Sequence, residues 1–306
     1  MRSFPKHLVA FVGLWLAGWP PAVRAQGPSP EDGATLFPGG ALVSYNSVFT
    51  SRRAAASGAA LYPTFGHDGL FTFSWGVRRD VQVTAQLPVV TKRLDLPLGA
   101  EEGGTGLGDL QLHLKYRFLR RDSERGTTQA SLRIGPKLPT GRTDLRGGTG
   151  ALLPASRQPG SGSTDLFLGL SLTYTGVLHV KRLVADATAG HLKRTEGTQG
   201  VRLGDMTEAR FWLSYRPYQT EAVGKEWFIG PSLSWRRIGR ARARGAPLPE
   251  SDESALFAGV TNYVSPHPGI VLWLALDFPV ARSAGTPLGA ERRISFGITR
   301  QFVMHH

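Results

Sequence analysis

The 306-residue chain contains no cysteine. An exported protein of this length can fold without disulfides, and so can a barrel closed by its own hydrogen bonds. Beyond the N-terminus, no run approaches the roughly 20 apolar residues of a membrane helix, which excludes a helical membrane protein. Helical periodicity is dominant nowhere, and no long amphipathic helix is written into the pattern. No serine–histidine–acid set is tied together by spacing, and no histidine and carboxylate cluster has metal-ligand spacing. No nucleic-acid-binding module is present. Acidic residues are the scarcer charge: 23 Asp and Glu stand against 36 Lys and Arg, a formal charge of +13.

The N-terminus has the form of an export signal. Arg2 and Lys6 make a positive start, 8–18 (LVAFVGLWLAG) is an apolar core, and Val23-Arg24-Ala25 offers a cleavage site. A single anchoring helix fits less well, because the apolar stretch is short and ends at Trp19-Pro20-Pro21. The expected organisation is a signal peptide over 1–25, a flexible periplasmic lead-in over 26–38, polar and rich in Gly and Pro, and one domain over 39–306. Losing Arg2, Lys6 and Arg24 takes the charge from +13 to +10.

The segment 106–118 reads GLGDLQLHLKYRF. Leu110, Leu112, Leu114, Tyr116 and Phe118 share one face; Asp109, Gln111, His113, Lys115 and Arg117 share the other. Period two is a strand. The same alternation predicts twelve strands: 41–49, 70–77, 81–90, 107–118, 128–138, 164–174, 179–192, 207–216, 226–236, 254–263, 270–280 and 293–302. The connections between them alternate, roughly 11 to 25 residues and then roughly 3 to 9. Short periplasmic turns and long extracellular loops on an even strand count describe an all-β, single antiparallel up-and-down transmembrane β-barrel. Trp227 and Trp235, eight residues apart on one face, would lie about 19 Å apart along the membrane normal, near the spacing of two interfacial aromatic girdles. Charges against hydrocarbon would cost several kcal/mol each, so the oily face is expected to meet lipid and the charged face a water-filled interior.

Four motifs in order carry a family resemblance. They are Phe73-Ser74-Trp75-Gly76-Val77-Arg78-Arg79-Asp80 with Leu87-Pro88-Val89, Gly106-Leu107-Gly108-Asp109 with Lys115-Tyr116-Arg117-Phe118, Lys137-Leu138-Pro139-Thr140-Gly141, and Gly162-Ser163-Thr164-Asp165. Together they resemble the outer-membrane family called "MetA-pathway of phenol degradation". The resemblance implies a cell-surface barrel of around twelve strands and no established substrate or catalytic residue. The chain departs at its end, where Arg300 interrupts the apolar face and Val303-Met304-His305-His306 follows Phe302.

Asp109, His113, Lys115, Arg117, Arg133, Lys137, Arg210 and Arg216 are the expected lumen-lining residues. Arg236 is a further interior cation, and Asp186, Glu208 and Asp277 are interior acids. A basic lining favours anions. Arg237, Arg240, Arg242 and Arg244 fall in an outside loop; with Arg52-Arg53 they could contact lipopolysaccharide phosphates. Gly106-Leu107-Gly108-Asp109 is not a phosphate cradle, since a strand and not a helix follows it.

The expectation is therefore a non-enzymatic outer-membrane channel or transporter of a Gram-negative bacterium. Small solutes, anionic or amphiphilic, would pass by diffusion, with no cofactor and no metal. Its partners would be the lipid bilayer, lipopolysaccharide and the outer-membrane assembly machinery. A closed barrel with a structural or surface-binding role and no transport, and a soluble periplasmic β-protein, are the alternatives.

Overall fold

A computed structural model describes residues 32–52, 65–95, 101–148, 150–219, 226–249, 251–284 and 291–304. The expected signal peptide and Arg53 lie outside them. The strands are β1 (Gly40–Arg52), β2 (Phe65–Gly76), β3 (Val81–Asp95), β4 (Glu101–Leu107), β5 (Gln111–Ser123), β6 (Gly126–Lys137), β7 (Asp165–Thr175), β8 (Leu183–Lys193), β9 (Val201–Arg202), β10 (Met206–Gln219), β11 (Glu226–Ile238), β12 (Arg242–Ala243), β13 (Ala246–Pro247), β14 (Glu253–His267), β15 (Ile270–Ala284) and β16 (Glu291–Val303).

Strands β1 to β8, β10, β11 and β14 to β16 form one antiparallel sheet in chain order. β16 pairs back onto β1, from Gly40↔Val303 to Arg52↔Glu291. The sheet therefore closes on itself as a barrel. β4 and β5 both pair with β3 and share one position on the circumference. The thirteen strands of the sheet thus make a twelve-stranded up-and-down barrel, and each predicted strand overlaps one of the twelve. Among the described residues no helix is long and apolar enough to cross a membrane.

The face question has a direct answer. On β7, Leu166, Leu168, Leu170 and Leu172 are 42–52 % exposed, whereas Asp165, Ser171 and Thr173 between them are 0–4 % exposed. On β5, Leu112, Leu114, Tyr116 and Phe118 face out and His113 and Lys115 face in. A water-soluble sandwich would bury those leucines. A surface of leucines with the polar residues enclosed is the inversion that lipid demands. Trp227 and Trp235 both stand on the outer face, near opposite ends of β11. Trp227 Nε1 donates to Asn262 Oδ1 at 2.5 Å and Trp235 Nε1 to Ser254 Oγ at 3.0 Å. An apolar ring with a bonded polar tip suits an interface.

The turns 77–80, 124–125, 176–182 and 268–269 lie at one end, and the longer described connections, such as 138–164, lie at the other. Two expected long loops are shorter than predicted, because β3 runs on to Asp95 and β4 starts at Glu101, and because β15 and β16 extend toward each other. The reason is physical. Strands that continue above the lipid need backbone pairing but no oily face, so alternation does not mark them. The strand position shared by β4 and β5 breaks at Gly108-Asp109-Leu110. Opposite the break stands Pro88, which has no N–H for the ladder; its carbonyl accepts from Gly108 N–H at 2.8 Å.

Candidate functional site

Seven of the eight expected interior residues stand at inward positions of their strands and Asp109 stands at the break between β4 and β5; the structure sorts them into groups. At the loop end, Lys137 lies between two carboxylates, 2.6 Å from Asp109 Oδ2 and 2.9 Å from Asp165 Oδ2. Its ammonium also donates to Ser161 Oγ at 2.5 Å and Ser163 O at 3.3 Å. Asp109 in turn accepts from Gly141 N–H at 3.0 Å and Ser161 N–H at 2.8 Å. Both ends of the connection 138–164 are thereby pinned to the inner wall. Gly141 and Gly160 meet backbone to backbone, where a Cβ on either would come within 2.5–2.8 Å of main-chain atoms. Lys92 holds the middle of the same connection, donating to Ser156 O at 2.9 Å and Gln158 O at 2.8 Å. Motifs spread over some eighty residues, from Pro88 to Asp165, meet in this one cluster.

Midway down, His113 bonds Gln86 Oε1 at 3.1 Å and meets the Phe167 ring edge-on at 4.9 Å. The Arg133 guanidinium stands over the same ring at 5.3 Å. Arg210 lines a small inner cavity with Asp32, Asp186, Thr188, Trp212, Thr261 and Tyr263.

Asp32 belongs to a segment that enters the barrel. Asp32, Ala34, Thr35 and Leu36 are buried. Lys115 Nζ donates to Asp32 O at 2.6 Å, Gly33 N–H to Thr173 Oγ1 at 2.8 Å, and Leu36 N–H to Gln82 Oε1 at 3.1 Å. Arg117 donates to Gln129 Oε1 at 2.9 Å and to Arg79 O at 2.6 Å, and Thr35 Oγ1 reaches that same carbonyl at 2.7 Å. The expected lead-in over 26–38 thus has its second half packed against the inner wall. Residues 26–31 lie outside the described residues. Burial pushes the Asp32 carboxyl up to about 6, with Lys115 opposing the rise.

Toward the turn end the interior is apolar. Val184, Trp212, Phe228, Tyr263 and Val271 form a buried cluster, with Trp273 packed against it. Arg216 lies over Phe228 at 4.6 Å and 4.0 Å from Glu226 Oε1. Sequence parity gave no sign that six apolar side chains from five strands fill one side of the bore.

Of the upper inner wall, sequence reading named Arg236 and missed the residues around it. Arg236 and Arg282 both reach Glu253, at 2.9 and 3.4 Å, and Arg293 stacks on Phe257 at 3.9 Å. With Lys92 these are four cations near two acids, Glu253 and Asp68. Longer strands at the loop end would have revealed them, since Lys92, Arg282 and Glu253 all lie outside the predicted strands.

Outside the barrel wall, Arg237 and Arg240 are exposed, and Arg240 stands 3.3 Å from Asp252. Arg242 lies in β12, paired with Arg202 of β9 and Pro247 of β13. Arg244 and Gly245 turn that hairpin with φ of 48° and 83°. Two positive φ values in a two-residue turn match the twist of the flanking strands. The neighbouring connection is tied by Asp205, which accepts from Lys193 at 2.6 Å, Arg194 N–H at 2.9 Å and Arg202 at 3.2 Å. Partial burial would raise its carboxyl, but these bonds outweigh burial and hold it at about 2.

One serine–histidine contact escaped the sequence reading. Ser47 Oγ is 2.9 Å from His67 Nε2 on the outer face, beside Tyr45 and stacked Phe49. The adjacent Asp68 has the opposite parity and faces the interior, so the pair has no acid to complete a triad among the described residues.

No family model matches the chain, and no curated protein matches it. Solved structures do. An outer membrane channel from Pseudomonas putida F1 superposes with a TM-score of 0.63 at 15% identity, covering 90% of this chain and 99% of that one. The beta domain of the Bordetella autotransporter BrkA follows with 0.46, 13% identity and coverage of 87% and 100%. The NanC porin gives 0.44, 9% identity and coverage of 84% and 98%. The chain shares the fold of the first, an outer-membrane β-barrel.

Proposed function

We propose that this chain is an outer-membrane channel that passes small anionic or amphiphilic solutes by passive diffusion. The observation that carries the reading is a closed ring of twelve strands with leucines outward and an ionic, net basic inner wall. Lys115, Arg117, Arg133 and Arg210 at mid-height, and Lys92, Arg236, Arg282 and Arg293 above them, outnumber the acids around them. A basic wall in a low-dielectric bore lowers the barrier for anions and raises it for cations. The apolar patch around Trp212 and Tyr263 gives an amphiphilic solute a surface for its oily part. Membership of the phenol-degradation family is part of this proposal. It is supported by the convergence of Pro88, Asp109, Lys137, Gly141 and Asp165, which the four motifs supply. Export by a signal peptide, placement with the long loops outside, and insertion by the outer-membrane assembly machinery belong to the same reading.

A second reading is a closed barrel without transport. It draws on the segment 32–36 and the cluster around Trp212, which fill the bore from two sides. Planar-bilayer recording of the refolded mature chain under a salt gradient tests both. Stepwise conductance with an anion-selective reversal potential supports the channel. Insertion without conductance, in the full chain and in a variant lacking 26–36, means the barrel is closed and transport is withdrawn.

A further inference from the structure

The outer wall over β7, β8, β10, β11 and β14 carries an apolar groove of about 420 Å³. Its floor is built by register. One row across the strands reads Leu172, Ala187, Phe211, Leu233. The next row toward the loop end reads Leu170, Ala189, Ala209, Trp235, Leu256. Three alanines flanked by leucine, phenylalanine and tryptophan leave a trough between large side chains. The alanines alone would say only that lipid fills a dent.

What lies above them is the second observation. One step higher, about 7 Å along the strands, the outward row becomes Leu168, His191, Thr207, Arg237, Ser254. His191 and Thr207 bond each other at 2.9 Å, and Trp235 Nε1 reaches up to Ser254. Lys193 follows on β8, paired with Asp205 at 2.6 Å, and the hairpin carrying Arg242 and Arg244 pairs with β9 beside it. Arg237, Arg242 and Arg244 are exposed and have no acidic partner among the described residues.

The same wall contains a comparison. A second outer groove of about 410 Å³ lies over Phe73, Val83, Ala85, Leu112, Leu114, Ile134 and Pro136. The residues that continue its outward rows toward the loop end are Leu87, Leu110 and Leu138, with no cation among them. Size is shared between the grooves; the cationic rim is not.

We propose that the groove floored by Ala187, Ala189 and Ala209, with the rim of Arg237 and Arg242 above it, is a binding site for a phosphorylated acyl lipid of the outer leaflet. Acyl chains lie in the trough against Leu170, Phe211 and Leu233. Phosphate oxygens meet the guanidinium of Arg237, whose planar fork of donors suits a phosphate oxygen pair. Trp235 sits at the boundary between the two zones, where an amphipathic ring is favoured. The site is on the outside of the wall and does not depend on whether the lumen conducts. It does require that the loop end face the outer leaflet.

The test uses the full mature chain, refolded and checked for heat-resistant mobility in each variant. Bis-phosphorylated lipid A and its dephosphorylated form are titrated and followed by native mass spectrometry. The expected result is that the phosphorylated form binds tighter by on the order of tenfold. Arg237→Gln with Arg242→Gln removes that preference, Ala189→Leu weakens both lipids, and Ala85→Leu in the other groove changes neither. Equal binding of the two lipids by the unmodified chain overturns the proposal. So does a preference that survives the double Gln variant, or an Ala85→Leu effect as large as that of Ala189→Leu.

Discussion

The ammonium of Lys137 stands 2.6 Å from the carboxylate of Asp109, twenty-eight residues earlier in the chain, with both side chains buried. Neither charge would survive there alone. Lys137 also meets Asp165 and two serines, so its three N–H donors are all engaged. Replacing Lys137 by Met leaves Asp109 and Asp165 facing each other without a cation, which costs about 3–5 kcal/mol. The connection 138–164 should then detach while the barrel remains. Limited trypsin digestion of the folded protein should cut Lys137→Met at Arg142, Arg146 or Arg157 much faster than the unmodified chain. Equal rates would mean that Lys92 and the glycine contacts hold the loop unaided.

That cluster shows where sequence reading stops. Parity alone turned Asp109 and Lys137 inward, because a period of two needs only local residues. Whether they meet depends on the closure of the barrel and on a loop of twenty-seven residues between β6 and β7, and no local pattern carries that. The twelve strands were legible for the same reason that the charged partners Glu253 and Arg282 were not: lipid imposes alternation only across its own thickness, and those residues lie above it. The docking of Asp32 to Leu36 was hidden by composition. A polar segment rich in Gly and Pro reads as a tether, and only its buried backbone bonds to Thr173, Gln82 and Lys115 show otherwise.

Charge reversal in the bore reads selectivity. Arg133 is fixed by stacking on Phe167 and Arg210 faces the Asp32 cavity, so both cations are held where a passing ion feels them. Exchanging both for Glu changes the wall by four charges and should move the reversal potential under a salt gradient toward cations. Unchanged selectivity would place the permeation path elsewhere or show that none exists.

Phe167 rests on two glycines. A Cβ on Gly169 would come 2.8 Å from the ring, and one on Gly190 would come 3.0 Å from it. The bare backbone lets the ring lie flat against the wall, with His113 at its edge. Gly190→Leu should push the ring into the bore at an overpacking cost of about 1–3 kcal/mol. Lower unit conductance with unchanged membrane insertion is the expected reading; unchanged conductance would mean the bore is not narrowest there.

The docked segment should respond to pH through Asp32, and the sign follows from its environment. Burial raises the carboxyl from an ordinary 3.8 to about 6 when the segment is docked, so the docked state holds a proton that the released state gives up. Docking is therefore tightest below about pH 4, weakens as the pH rises toward about 6, and is flat above that. A shift of about two units corresponds to a docking equilibrium up to about a hundredfold weaker at neutral pH. Lys115 and Arg117 face Asp32 as cations and Asp186 faces it as a second acid, so the comparison must be with Asp32→Asn and not with pH alone. In the unmodified chain, conductance should rise between about pH 4 and 6. In Asp32→Asn that rise should be reduced, and the conductance at neutral pH should match the low-pH value of the unmodified chain. Identical profiles in the two proteins would show that Asp32 does not govern how the segment sits in the bore.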